Sequence, residues 1–350
     1  MAVFNAPDFD NHEAVVFCND AETGLNAIIA VHDTTLGPSL GGCRFWPYEN
    51  DGDALTDALR LSRGMTYKAA LADTGRGGGK SVIIGDPRRI GTPALFRAMG
   101  RFVERMGGAY TIAEDVGTSP ADMAHVHQET KHVAGLEGGS GDPSPATALG
   151  VFVGIQAALK HQRGDDDLKG VTVAAQGLGH VGWDLCNRLH QAGARLIVSD
   201  MRDEITSEAT RQFGATAVGI DTIHAVRADV FAPCALGGSL NDRTIPALKA
   251  SIVAGSANNQ LAESRHGDIL AARGVLYAPD YVINAGGIIN IAHEGVAYDQ
   301  AAAFAHVARI GDTLGQLFKR ADTERLTTSQ MADQMAREVL ARAAGRSLAA

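Results

Sequence analysis

Two lysines twelve positions apart are the residues of this chain best suited to chemistry: Lys68 in Met65-Thr66-Tyr67-Lys68, and Lys80 at the end of Gly77-Gly78-Gly79-Lys80. A lysine that is desolvated beside a second cation loses its proton more readily and becomes a base near neutral pH. The cation that stays charged suits an anionic substrate. Glycines next to Lys80 let backbone and ligand approach closely. A nucleotide phosphate loop would need a glycine at position 74, where Thr74 stands, and a helix after the lysine. Ser81 to Ile84 is instead a β-branched run ended by Gly85-Asp86-Pro87, which reads as a strand. A third candidate is Asp115, just past the strand-like run Tyr110-Thr111-Ile112-Ala113 and so at a strand end, where sites are commonly built.

The elements that must carry these groups can be read around them. Ala14 to Cys18 and Asn26 to His32 read as strands flanking a polar turn at Asn19 to Gly24, the start of a mixed sheet. A helix with Asp53 as its N-cap leads toward Lys68, with Leu55, Ala58, Leu59 and Ser62 on one side. Thr92 and Pro93 open a second helix, whose Leu95, Phe96, Met99, Phe102, Val103 and Met106 form a core stripe ended by Gly107-Gly108. Ser119-Pro120 starts another, expected to carry His125, His127 and His132. Histidine spacings of two and five do not converge on one helix face, so no metal site is expected there.

Gly138 to Pro145 shifts to Gly, Ser, Asp and Pro and reads as a linker or hinge. It sets the expected division: residues 1–140 as the substrate-binding and catalytic domain, 141–325 as the nucleotide domain, and a C-terminal helix at about 325–350 packing back on the first. Beyond the linker, Val171 to Gln176 reads as a strand, Gly177-Leu178-Gly179-His180-Val181-Gly182 as a glycine turn, the stretch to Ala192 as a helix, and Arg195 to Ser199 as a strand ending at Asp200. In such a unit the first glycine makes the turn, the second admits a pyrophosphate, and the third lets helix and strand pack. The helix N-terminus supplies N–H donors and positive potential. Asp200 at the end of the second strand would bind a ribose hydroxyl and repel a 2′-phosphate, favouring NAD over NADP, with Arg202 expected to be solvated. Strands at Asp229 to Ala232, Ser251 to Ala254 and Val275 to Ala278 extend a doubly wound parallel sheet. Their carboxyl ends would group Cys234, Ala235, Asn258 and Asn284 around one crevice.

Composition excludes other classes. The 350 residues are 45% hydrophobic and 20% charged, ordinary for a soluble globular protein of about two domains. A net charge of −9 gives no basic face for nucleic acid. No stretch reaches membrane-spanning length, and four dispersed cysteines suggest a reducing compartment, so a cytoplasmic protein is expected.

Taken in order, the segments Gly41 to Arg44, Met65 to Lys68, Gly77 to Lys80, Thr111 to Gly117, Gly177 to Gly182, Ala232 to Gly237, Ser256 to Asn259 and Ala278 to Gly287 resemble the amino acid dehydrogenases that act on glutamate, leucine, phenylalanine and valine, the leucine branch most of all. The resemblance implies NAD-dependent, reversible oxidative deamination of an L-amino acid to a 2-oxo acid and ammonia by a homo-oligomer. It implies that Lys68 pairs with the substrate carboxylate, helped by Asn284 and the Gly41-Gly42 backbone. Lys80, neutral when active, would take a proton from attacking water, and Asp115 would exchange protons with the amino group. Glutamate enzymes of the family carry a lysine where Leu40 stands, so a buried γ-carboxylate would go unpaired here. Ala113 and Ile291 are expected in the same pocket, with β-branched Ile291 narrowing it relative to a phenyl ring. Branched aliphatic substrates are favoured. The alternatives are a phenylalanine-preferring enzyme of the same family and an NAD-responsive regulator without turnover, which would have no use for Lys80 beside Asp115.

Overall fold

The computed structural model describes residues 3–136, 140–294 and 298–345. The chain forms two compact units, one of Met1–Gly141, Ile291–Tyr298 and Ala336–Ala350, the other of Asp142–Asn290 and Asp299–Met335. Gly138 and Gly139, within the expected linker, lie outside the described residues.

The first unit is built on strands β1 (Ala14–Asp20), β2 (Leu25–Asp33), β3 (Ser39–Trp46), β4 (Gly77–Ile84) and β5 (Tyr110–Glu114), in the order β1-β2-β4-β3-β5. The β1/β2 and β2/β4 pairs are antiparallel, while β3 runs parallel to β4 and β5, so the sheet is mixed. Alternation along the strands sorts the two faces. Ala27, Ile29, Val31, Cys43, Phe45 and Ile83 meet helices α3 (Pro93–Arg105) and α4 (Pro120–His127) through Leu95, Phe96, Met99, Val103, Met123 and Val126. Ile28, Ala30 and Val82 meet the long helix α1 (Asp51–Leu71) through Ala54, Leu55, Ala58 and Leu59. Each fully buried large side chain here is worth about 1.5–3 kcal/mol, so either stripe holds its helix firmly. The short helix α2 (Pro87–Ile90) follows β4.

Helix α1 starts three residues earlier than expected. Asn50 is its N-cap and accepts from Asp53 N, which leaves Asp51 and Asp53 in the first turn, where negative charge complements the helix dipole. Helix α4 begins where Ser119 and Asp122 form a capping box, but it ends at His127. His132 therefore lies beyond the helix, in a segment bridged to β5 through Ile112 and Val133.

The glycine run before Lys80 is itself part of β4. A Cβ on Gly78 would stand 2.1 Å from the Thr66 nitrogen of α1, and one on Gly41 would stand 1.7 Å from the Gly79 oxygen. These glycines bring helix and neighbouring strand against β4, a packing role that stands beside the expected approach to a ligand.

The second unit contains helix α5 (Ser144–Arg163) and the parallel strands β6 (Thr172–Gln176), β7 (Arg195–Ser199), β8 (Thr216–Ala217), β9 (Val230–Pro233), β10 (Ile252–Val253) and β11 (Leu276–Tyr277), ordered β11-β10-β9-β6-β7-β8. β8 is two exposed residues, too short to show any periodicity. The chain moves outward from β6 through β7 to β8 and returns to β9 on the other side of β6. The topological switch point therefore lies between β6 and β9. Helix α6 (His180–Gln191) follows β6, and α7 (Asp203–Phe213) follows β7.

Candidate active site

Lys80 projects from β4 on the face that packs against α1, the same face as Gly78 and Val82. Its side chain is 7% exposed, and its ammonium contacts the Asp115 carboxylate, 19% exposed, just past β5. Burial lowers the Lys80 pKa to about 7, and the Arg44 guanidinium and then Lys68 act in the same direction against Asp57 and the Cys43 thiol. The sequence points to Lys68 as the neighbouring cation. In the structure Arg44 is the stronger one.

Arg44 reaches this position through strand pairing. Cys43 pairs with Ser81, which sets Gly42 beside Lys80 and puts Arg44 on the α1 face one step further along. Arg44 Nη1 donates to Asp57 Oδ2 at 2.8 Å, Tyr48 Oη donates to the same oxygen at 2.6 Å, and Arg44 Nε is buried with no hydrogen-bond partner among the described residues. The segment Gly41 to Arg44 stands out in the sequence, but nothing local to it tells that Arg44 faces Lys80.

Asp115 is fixed by its own turn. Its N–H donates to Thr118 Oγ1 at 2.9 Å, its Oδ1 accepts from Val116 N at 2.6 Å, and Thr118 Oγ1 lies 3.0 Å from the Cys43 oxygen. A Cβ on Gly42 would come within 2.7 Å of the Asp115 Cβ, so Gly42 makes room for this carboxylate. Lys68, half-buried near the end of α1, follows Tyr67, whose hydroxyl accepts from Arg337 Nε at 3.0 Å.

Leu40, Ala113 and Ala134 form a small buried cluster with Ile291 packed on it. A cavity of about 390 Å³ opens beside them, lined also by Thr111, Arg76, Lys131, His132 and Glu294. The expected pocket residues Leu40, Ala113 and Ile291 are thus together. Ala134 and Glu294 are additions that sequence reasoning missed, since neither lies in a recognisable motif.

In the second unit, Gly177 takes the left-handed turn (φ 95°), and a Cβ on Gly182 would meet the Gly177 oxygen at 2.1 Å. Beside Gly179 a Cβ would meet nothing within 4 Å, which leaves room for a ligand. No side chain caps α6, so its first N–H groups are open to an anion. His180 is exposed and Val181 half-buried at that end, while Leu178 is buried. A cavity of about 560 Å³ adjoins the turn, lined by Gly177, Asp200, Arg202 and Ala235 and rimmed by Met201 and Leu236, 84% and 82% exposed. Buried Gln176 Oε1, Ser199 Oγ, His224 Nε2 and Ser239 Oγ in its lining have no partner among the described residues. A mostly apolar cavity with a few convergent polar atoms beside an uncapped helix fits a dinucleotide.

Arg202 is half-exposed, as expected of a solvated arginine, but it is also paired with Asp200. Its Nε donates to Asp200 Oδ1 at 3.0 Å, while Leu178 N donates to Oδ2 at 2.7 Å. Burial pushes the Asp200 pKa up, but these partners outweigh it and hold the carboxyl below its usual range. Asn284 belongs to this unit, and its Nδ2 donates to Asn258 Oδ1 at 2.8 Å and Ser256 O at 3.1 Å. Its buried Oδ1 is left without a partner, an acceptor where a carboxylate would need a donor. Cys234 lies just past β9 beside Ala235, and burial raises its thiol pKa. Asp242, Glu263 and His266 bring ligand-type atoms within 4.8 Å of one another, but Arg265 pairs with both carboxylates, at 2.6 and 2.9 Å, making a salt-bridge network.

Comparison with known proteins agrees with this architecture. Residues 12–132 match the model of the Glu/Leu/Phe/Val dehydrogenase dimerisation domain, and residues 138–210 and 198–345 match that of glutamate/leucine/phenylalanine/valine dehydrogenase. The chain is 52% identical over 341 residues to leucine dehydrogenase of Geobacillus stearothermophilus, covering 97% of this chain and 93% of that protein. It is 46% identical to phenylalanine dehydrogenase of Lysinibacillus sphaericus, over 94% and 89% of the two chains. The crystal structure of L-tryptophan dehydrogenase from Nostoc punctiforme superposes with a TM-score of 0.86 at 47% identity, covering 95% of this chain and 97% of that one. With a mixed-sheet unit carrying a buried lysine against an aspartate and a parallel-sheet unit built for a dinucleotide, this chain belongs to the glutamate/leucine/phenylalanine/valine dehydrogenase family, nicotinamide-dinucleotide-dependent oxidoreductases of amino acids.

Proposed function

We propose that this protein is an NAD-dependent L-leucine dehydrogenase, reversibly converting leucine and related branched-chain amino acids to 2-oxo acids and ammonia. The observation that carries this reading is the buried Lys80 against Asp115, with a pKa lowered to about 7. The dinucleotide, when bound, accepts the hydride from the substrate α-carbon. Lys68 holds the substrate carboxylate as a fixed cation, with the Gly41-Gly42 backbone beside it. Neutral Lys80 takes a proton from the water that adds to the iminium carbon. Asp115 exchanges protons with the departing amino group and offsets its positive charge.

The side chain occupies the pocket of Leu40, Ala113, Ala134 and Ile291, an apolar cluster that offers a γ-carboxylate no partner of its own, while Arg76 and Lys131 line the adjoining cavity. Leucine is favoured by that lining and by the identity to leucine dehydrogenases. A second reading, a phenylalanine or tryptophan enzyme, is favoured by two alanines in the wall and by relatives of both kinds. Residues 177–182 cradle the dinucleotide, and Asp200, with Cys234, Ala235 and Asn258 at neighbouring strand ends, completes the contacts. Asp200, paired with Arg202, would repel a 2′-phosphate, so NAD is preferred to NADP.

A homo-oligomer is proposed, in keeping with the dimerisation-domain match and with the edge strand β1 and the half-exposed Phe17 and Trp46 on this sheet. No described helix is long and apolar enough to cross a membrane. The four unpaired cysteines are in keeping with a cytoplasmic enzyme.

The test is Lys80→Ala, measured for dinucleotide binding and for NADH formation from leucine. Binding should persist while turnover falls by at least about 10²-fold; full activity would sink the assignment. Initial rates with leucine, valine, phenylalanine, tryptophan and glutamate, on NAD and on NADP, decide substrate and cofactor.

A further inference from the structure

The wall of the side-chain pocket is held by a group that does not belong to the proposed catalytic set. Ala134 and Ile291 pack in one cluster of the pocket lining and come from segments more than 150 residues apart. Ile291 is in the short helix Gly286–Ala292, and Glu294 follows one residue after that helix ends. The Glu294 carboxylate reaches back to the other segment. Its Oε2 accepts from Gly135 N at 3.2 Å, the residue next to Ala134, and its Oε1 accepts from Ser140 N at 3.1 Å and Ser140 Oγ at 2.6 Å. Gly135 is left-handed (φ 74°), a conformation that a residue with a side chain rarely adopts. Three donors, two of them backbone N–H groups, converge on one carboxylate at the edge of the 390 Å³ cavity.

We propose that Glu294 is a positioning residue that fixes the distance between Ala134 and Ile291 and thereby sets which side chains the pocket accepts. This rests on the reading that the Leu40, Ala113, Ala134 and Ile291 pocket takes the substrate side chain. Charge-assisted hydrogen bonds from backbone donors are short and directional, so a carboxylate holding both Gly135 and Ser140 keeps the backbone at those two residues in one place. Size discrimination in an apolar pocket depends on such constancy, because a wall free to yield admits a larger group and contacts a smaller one less well. Glu294 touches no reacting atom. Its loss should therefore act on selection between substrates and on KM, with kcat for an accepted substrate moving little.

The experiment compares wild type with Glu294→Ala, Glu294→Gln, Ser140→Ala and Ala113→Leu, each checked for NAD binding and thermal unfolding. kcat and KM are then measured for leucine, valine and phenylalanine at saturating NAD. Glu294→Ala should raise KM for leucine by about tenfold and move the phenylalanine-to-leucine ratio of kcat/KM upward by about tenfold, with kcat for leucine within about threefold of wild type. Glu294→Gln, which keeps an acceptor for Ser140, should restore most of the wild-type ratio. If Glu294→Ala does not fold, Ser140→Ala carries the same test, since it deletes only the 2.6 Å bond and should move the ratio in the same direction. A folded variant whose ratio stays within about twofold of wild type overturns the inference. Ala113→Leu separates the two levels of the argument. If it leaves leucine kinetics untouched, the pocket assignment itself is wrong; if it depresses them while the Glu294 and Ser140 variants change nothing, only the positioning role fails.

Discussion

Raising the pH through neutrality should switch on oxidative deamination, and the steepest part of the rise belongs to Lys80. The lysine must be neutral to take a proton, so activity follows its deprotonated fraction. With a pKa of about 7, roughly 9% of Lys80 is neutral at pH 6 and about 91% at pH 8. A lysine at the ordinary value of about 10.4 would be only about 0.4% neutral at pH 8, roughly a 200-fold smaller supply of base. The lowering has named causes, burial first and the Arg44 guanidinium second. Arg44→Met removes that cation and also frees the Asp57 carboxylate it was holding at 2.8 Å. Both changes favour the ammonium form, so the rising limb should move to higher pH, by about one unit. The assay is kcat/KM for leucine from pH 5.5 to 10.5 at saturating NAD, since that ratio reports groups of the free enzyme. Wild type should rise with a midpoint near the Lys80 pKa, and Arg44→Met should rise later toward a similar plateau. A wild-type midpoint above about pH 9, or identical limbs in the two proteins, would refute the account of how this lysine becomes a base.

Two glycines of one motif should fail in different ways. Gly182→Ala puts a Cβ 2.1 Å from the Gly177 oxygen and should lower the unfolding temperature as well as NAD binding, whereas Gly179→Val has open space around its Cβ and should unfold like wild type while its KM for NAD rises by about tenfold or more. Equal thermal losses in both would remove Gly179 from the cofactor cradle. Leu40→Lys places a cation in the apolar pocket and should raise glutamate turnover relative to leucine by about tenfold, measured as the ratio of kcat/KM; an unchanged ratio would take Leu40 out of the pocket. On NADP, Asp200→Ser should gain relative to wild type, because Arg202 loses the carboxylate it now pairs with at 3.0 Å and can meet a 2′-phosphate.

The second unit was the more legible half because its information is local. Strand, glycine turn, helix and acid follow one another within about thirty residues, and each step of Gly177 to Asp200 is read from its neighbours in sequence. What escaped there was small in scale: the two-residue β8, and the Arg202 that turns back onto Asp200. Both depend on side-chain placement or on a pairing too short to leave a pattern. Apart from β3, which was not read as a strand, and the Gly77 to Lys80 start of β4, the strands of the first unit and the helices α1 and α3 were equally plain from their residue types and stripes. Their order β1-β2-β4-β3-β5 was not, since β3 inserts between β4 and β5 through a parallel pairing that no adjacent segment dictates.

That non-local pairing separates identifying the chemical groups from explaining their reactivity. Lys68, Lys80 and Asp115 can be found by type and position, because lysine after glycine and acid after strand are local signals. The lowered Lys80 pKa has a different origin. Most of it comes from burial under α1, and the larger of its two neighbouring cations is Arg44, brought alongside by the β3/β4 register. The glycines follow the same logic. Gly41 and Gly78 look like room for a ligand when read along the chain, and in the sheet they are also room for the Gly79 backbone and for Thr66 of α1. Close packing at those two points draws helix and strands together over Lys80, and the resulting exclusion of water makes its ammonium costly to keep. The glycine run therefore acts on the base through the packing of the strand that carries it, and the pH profile of a packing variant such as Gly78→Ala should shift toward higher pH along with its loss of stability.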